Sequence, residues 1–89
     1  MLGRILVAQP RRVPRAKNIS EHARKFGRHL ARLRHVAELT QEGLAEKAGV
    51  STRYIQDLEA GLNSPTIFVT NKLRKALGVS WETLAEALP

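Results

Sequence analysis

Gln41 to Glu59 reads QEGLAEKAGVSTRYIQDLE, and the reading of this stretch decides the fold. Ala45 stands where two helix backbones have to come close. Gly49 follows four residues on, where the chain must turn sharply and a residue without Cβ is least strained. Leu44, Ala48 and Val50 supply apolar surface from the first helix and the turn, while Ile55 and Leu58 supply the buried face of the second. Two short helices crossing at a wide angle need this pattern, which leaves the outer face of the second helix free. The motif is a helix-turn-helix spanning Gln41 to Ala60, and it argues for a second helix laid in a DNA groove.

The punctuation on either side extends the reading. Thr40 is expected to cap the first helix of the motif and Ser51 the second, with Gly61 as the residue past the end. Ser64-Pro65 marks the next start, since proline is tolerated in a first turn. That helix runs to Leu77 with Ile67, Leu73, Ala76 and Leu77 as its apolar positions, and Gly78 ends it. Ser80 caps a short last helix carrying Trp81, Leu84, Ala85 and Leu88. Upstream, Ser20 is expected to cap a helix that reaches about Ala37, with Glu21 favouring its dipole and Phe26, Leu30, Leu33 and Ala37 as its buried stripe. The result is an all-α, compact five-helix domain over residues 20–89, preceded by a basic N-terminal arm at 1–19. Pro10 and Pro14 keep the arm from continuing as helix. Leu2 to Ala8 is either a short strand pairing with a second copy or unstructured sequence.

With 89 residues there is room for one small domain and little else. The absence of cysteine removes disulfides and thiolate metal sites, as a reducing cytosol would allow. No apolar run approaches the ~20 residues of a membrane span, and Ile5 to Ala8 is too short for a signal-peptide core. An Arg-rich, acid-free start resembles a transit peptide, but the prolines spoil its amphipathic helix. Phe26, Tyr54, Phe68 and Trp81 are too few for base stacking to dominate. The formal net charge of +7 is unevenly spread: residues 1–37 hold ten Lys and Arg against Glu21 alone, and residues 38–89 hold five against seven acids. Upstream positive charge of that density suits a phosphate backbone, through counterion release and steering; a solubilising tail is the plainer alternative. Arg24, Arg28 and Arg32, spaced by four, repel one another on an isolated helix, a cost that an anionic partner relieves; a solvated face is the other option.

His22, His29 and His35 lack the spacing that puts two imidazoles on one metal, so no metal is expected and the rings default to exposed or partly packed positions. Ser51 and Ser64 serve as caps rather than nucleophiles, and no constellation of acid, base and nucleophile is present. No enzyme activity and no cofactor are expected. Trp81 and Leu84 are assigned to the core, and Trp81, Ala85 and Leu88 to the edge where a dimer seam would form.

With LTQEGLAEKAGVSTRYIQDLEAGLNSP and the ALGVSWETL that follows, the chain resembles the Cro/cI-like (Xre) helix-turn-helix regulators over about residues 23–88. The resemblance implies a five-helix lambda-repressor-like DNA-binding domain, usually dimeric, that reads a palindromic operator. At the matching positions it implies that Gln41 bonds a phosphate and braces the base-reading side chains. Thr52 and Arg53 fall where base edges are met, Arg53 being suited to a guanine. Tyr54 falls at a phosphate or a base methyl. Asp57 faces the bases, either accepting from cytosine N4 or holding Arg53 in place, and the second role is favoured. Asn63 matches a DNA-contacting loop asparagine, with Ser64 a nearby phosphate candidate; Ser51 at the start of the second motif helix and, on the charge of the first helix rather than on the resemblance, Arg24 and Arg28 are further phosphate candidates. Arg34 and Glu59 match a structural salt bridge. The departures are Gly43, Leu62 in place of a common basic residue, and Thr70 and Arg74 where the family carries Leu and Ala; the last two leave open how that helix packs.

These expectations amount to a sequence-specific transcriptional regulator of double-stranded DNA, a repressor acting as a homodimer. It would work in the cytoplasm of a bacterium, encoded there or by a phage or plasmid, and on the nucleoid when bound. A second reading is an antitoxin whose residues 1–19 fold on a toxin. A third, a subunit of a larger DNA-processing enzyme, sits poorly with a chain of this length whose domain is complete from about Lys17.

Overall fold

The computed structural model describes residues 16–87. Five α-helices form among them: α1, Ala16–Val36; α2, Gln41–Ala48; α3, Thr52–Glu59; α4, Ile67–Leu77; and α5, Trp81–Leu84, continued by a 3-10 turn at Ala85–Ala87. The strand considered for Leu2 to Ala8 and the seam position Leu88 lie outside the described residues.

The helices begin where side chains replace missing backbone partners. Thr40, Ser51, Thr66 and Ser80 all have extended backbone, and each hydroxyl accepts from the amide three residues on. Two starts differ from expectation. Ser20 is no cap: α1 begins at Ala16, because Ala16 and Lys17 are good helix formers and nothing between them and Ser20 breaks the helix. The cap of α4 is Thr66 rather than Ser64: the helix starts at Ile67, and the Thr66 hydroxyl takes the Val69 amide at 3.1 Å.

The core joins Phe26 and Leu30 of α1, Leu44, Ala45 and Ala48 of α2, Ile55 and Leu58 of α3, Leu73 and Leu77 of α4, and Leu84 of α5. Leu33 and Ala37 pack against it from the far end of α1. Ile67, expected among the apolar positions of α4, is instead 65 % exposed. Six residues separate it from Leu73, which at 3.6 per turn rotates it about 120° off the buried stripe. Trp81 is likewise not core but 43 % exposed, and the Arg74 guanidinium lies 5.1 Å from its ring centroid. Arg74 is thereby explained: it also bonds Asn71 and the Val79 carbonyl, tying the end of α4 to the start of α5.

Gly27 sets how closely α1 crosses α3. A Cβ there would lie 2.3 Å from the Leu58 carbonyl oxygen and 2.7 Å from that of Glu59. Only glycine lets α1 seat directly on the carbonyl end of α3.

Candidate nucleic-acid interface

The turn between α2 and α3 is built as its residues predict. Gly49 adopts φ 74°, and the Val50 amide bonds back to the Ala45 carbonyl at 3.0 Å. Ser51 then accepts from the Tyr54 amide at 3.0 Å, which leaves its own hydroxyl hydrogen free to donate outward. Ile55 and Leu58 are fully buried, so the opposite side of α3 faces solvent.

On that outer side Arg53 is 80 % exposed along its side chain. Its Nε donates to Asp57 Oδ1 at 3.2 Å, one turn on. The contact uses one edge of the guanidinium; among the described residues the two terminal amino groups have no partner. A planar fork with both free donors suits the O6 and N7 acceptors of guanine. Asp57 is mostly buried beside Arg53, in keeping with a brace. Thr52 and Tyr54 flank Arg53, both half-buried. Burial raises the Tyr54 phenol above its ordinary range, so it stays protonated and able to donate. Gln56 is exposed on the same helix three residues after Arg53, and its amide can pair with adenine. Sequence reasoning passed over it, although any exposed amide on this helix is a candidate.

Behind α3 a second set of bonds fixes the frame. Arg34, 8 % exposed, donates through Nε to Glu59 Oε2 at 2.6 Å and through Nη2 to Oε1 at 3.0 Å, with Nη1 on the Leu39 carbonyl at 2.9 Å. The Glu59 bonds raise Arg34 above its already high ordinary value. Gln41 Nε2 donates to the same Oε1 at 2.9 Å. One N–H of the Gln41 amide is thereby used on Glu59, while its second N–H and its carbonyl oxygen carry no bond among the described residues and stand beside the start of α2.

After α3, Gly61 has φ 79°, and the Leu62 amide reaches the Asp57 carbonyl at 2.9 Å, which closes the helix end. The loop rests on α1, for a Cβ on Gly61 would lie 2.5 Å from Arg24 Cγ. Arg24 thus lies against Gly61, the residue before exposed Leu62, Asn63 and Ser64. Arg28 and Arg32 continue the exposed row along α1. On another side, Ala85 and Trp81 border an open apolar trough of about 340 Å³ with Phe26, Pro65, Ile67 and Leu84. His29, expected to be exposed or partly packed, is buried at 4 %, and its ring reaches the Thr83 carbonyl of α5.

Residues 25–88 match the family model described as a helix-turn-helix domain. The chain belongs to this family. It is a Cro/cI-like (Xre) helix-turn-helix regulator, a DNA-binding protein and not an enzyme, and its macromolecular partner is double-stranded DNA. It is similar to y4dJ of Sinorhizobium fredii, an uncharacterised HTH-type transcriptional regulator, with 43 % identity over 54 residues, 61 % of this chain and 70 % of the relative. An uncharacterised HTH-type transcriptional regulator of Mycobacterium tuberculosis is 41 % identical over 51 residues, 57 % of this chain and 36 % of that protein. Among solved structures, the restriction-modification controller protein C.AhdI from Aeromonas hydrophila superposes with a TM-score of 0.70 at 31 % identity, over 72 % of this chain and 97 % of the controller. An HTH_3 family transcriptional regulator from Vibrio cholerae gives 0.71 at 25 % identity, over 76 % of this chain and 38 % of its own. Among the described residues no helix is long and apolar enough to cross a membrane.

Proposed function

We propose that this regulator represses transcription as a homodimer on a palindromic operator, acting in the cytoplasm on nucleoid DNA. The observation that carries this reading is the Arg53–Asp57 pair on the open face of α3. An exposed arginine held in one orientation, with its fork unspent, is prepared for a base edge before DNA arrives. Thr52 and Asn63 read neighbouring positions, and Asp57 acts through Arg53. Ser51, Tyr54, Ser64, Arg24 and Arg28 take phosphates, as does the α2 start at Gln41. Arg34 and Glu59 hold α1 to α3 so that these groups keep a common register.

Pairing is assigned to the α5 side. The trough beside Trp81 and Ala85, together with exposed Ile67, offers apolar surface that a second copy would cover. Two copies about a two-fold axis would set their α3 helices in successive major grooves about 34 Å apart. The basic arm ahead of α1 would then follow the DNA backbone or enter the minor groove next to each half-site.

Fluorescence anisotropy against the upstream region of its own gene and a scrambled duplex, each across a salt series, tests the reading. Preference for the first by ~10³ or more at physiological salt supports an autonomous operator reader. Equal, steeply salt-dependent binding to both refutes readout. Attention would then shift to a protein partner such as a toxin, sought by copurification of a neighbouring gene product.

A further inference from the structure

Arg53 does not fill the open side of α3 alone. Counted from Arg53 at about 100° per residue, buried Ile55 and Leu58 centre at about 170°, so the side turned from the core lies at about −10°. Arg53, Gln56, Asp57 and Ala60 fall within about 50° of that direction. Thr52 and Tyr54, about 90° and 110° away, are half-buried. Ala60 carries no donor or acceptor on its side chain, and the Asp57 carboxylate accepts from Arg53 Nε at 3.2 Å. Gln56 is exposed, and among the described residues its carboxamide has no partner. Its part in the fold is confined to the backbone, where its carbonyl accepts from the Ala60 amide at 3.0 Å. An amide so placed loses its water when α3 enters a groove, and it needs a hydrogen bond in exchange.

We propose that Gln56 is a specificity-determining residue, its carboxamide bidentate to an adenine in the base pair next to the one that Arg53 reads. The offset follows from the helix. Three residues advance about 4.5 Å along α3, and base pairs follow one another at about 3.4 Å, so the two side chains meet consecutive pairs. The choice of base follows from the amide. It presents a donor and an acceptor side by side, which match adenine N7 and the N6 amino group; guanine offers two acceptors there. Arg53, with donors alone, has the opposite preference, so the two residues together specify two different bases. The assignment rests on the operator reading above and adds to it a base that Thr52, Asp57 and Asn63 do not account for.

The test uses the full chain and the best duplex that the wild type selects from a randomised pool. Fluorescence anisotropy then measures wild type, Gln56→Ala, Gln56→Glu and Arg53→Ala on that duplex and on each of its single-pair variants. Alanine and glutamate are good helix formers and the position is exposed, so the variants keep the fold, which far-UV circular dichroism checks. In the wild type, an A·T pair beside the pair sensitive to Arg53→Ala is preferred by roughly 5- to 150-fold. Gln56→Ala removes that preference and leaves the Arg53 pair as selective as before. Gln56→Glu, which accepts but does not donate, moves the preference at the same pair to cytosine. Repulsion from the added carboxylate falls on all duplexes alike and leaves that change readable. A Gln56→Ala profile equal to the wild type at every pair overturns the proposal. So does a loss shared equally by all duplexes, which would make Gln56 a phosphate contact. A wild type that selects no sequence from the pool overturns the operator reading itself, and this assignment with it.

Discussion

Glu59 is the acceptor at which three elements meet, so its removal gives the sharpest test of the frame behind α3. In Glu59→Ala, Arg34 loses both carboxylate bonds and Gln41 loses its acceptor. Arg34 is 8 % exposed and cannot rehydrate without moving α1 away from α3. Stranding one partner of a buried pair costs about 3–5 kcal/mol. The surviving bond to the Leu39 carbonyl places the loss near the lower end, about 3 kcal/mol. A domain of this size has only about 4–11 kcal/mol to lose. At about 4–8 °C per kcal/mol, the melting midpoint should fall by roughly 12–24 °C. Thermal and urea unfolding, followed by circular dichroism and Trp81 emission, measure it. The companion variant is Arg34→Leu/Glu59→Leu, which removes both charges and should recover much of the loss. A single-variant loss below about 1 kcal/mol, or a double variant no better than the single, would refute a buried, mutually dependent pair.

Four further outcomes are expected. Arg53→Ala should cost about 1–3 kcal/mol at one base pair and relax preference there, whereas Arg24→Ala should weaken all duplexes alike and lower the salt slope by about 1; anisotropy on a panel of operator variants separates the two, and equal loss of specificity from both would contradict their roles. Gly27→Ala pushes a methyl into two backbone carbonyls, so despite alanine's better helix propensity it should destabilise by about 1–3 kcal/mol, read from the urea midpoint. Glu38 holds φ 59° in the turn after α1, so Glu38→Gly should stabilise by about 0.5–1 kcal/mol in the same assay, the strain relieved exceeding the added unfolded-state entropy. The chain has one tyrosine, so absorbance at 295 nm isolates Tyr54. Its midpoint should lie above the ordinary phenol value near 10 in the folded protein and fall back in urea. The neutral phenol belongs to the fold, so its contribution to stability is whole below that value and is lost as pH rises past it.

The parts of this protein legible in the sequence are those where one residue type settles a local geometry. Gly49 turns, Thr40, Ser51 and Ser80 cap, and Ile55 with Leu58 commits one face of α3 to the core; such chemistry is complete within four or five residues. What was not legible depends on which element comes to lie alongside. Gly27 drew no reading from the sequence, because its meaning appears only when α3 is laid across it. His29 reads as an exposed or partly packed ring until Thr83, far along the chain, supplies its acceptor. Ile67 and Trp81 read as core because both are large and apolar, yet the phase of α4 and the brevity of α5 leave them outside. Their exposure bears on the architecture of reading DNA. Scattered apolar side chains on a surface need no explanation, but these two border one trough with Pro65 and Ala85. Arg53 and Asp57 stand on a separate part of the molecule, the outward side of α3, where charge and unspent donors are kept. Apolar surface thus gathers where a second copy can be met, and hydrogen-bonding capacity where a base edge can. On the dimeric reading proposed above the domain binds twice, once to itself and once to DNA, and that reading requires the separation, since a surface serving both would have to exchange one partner for the other.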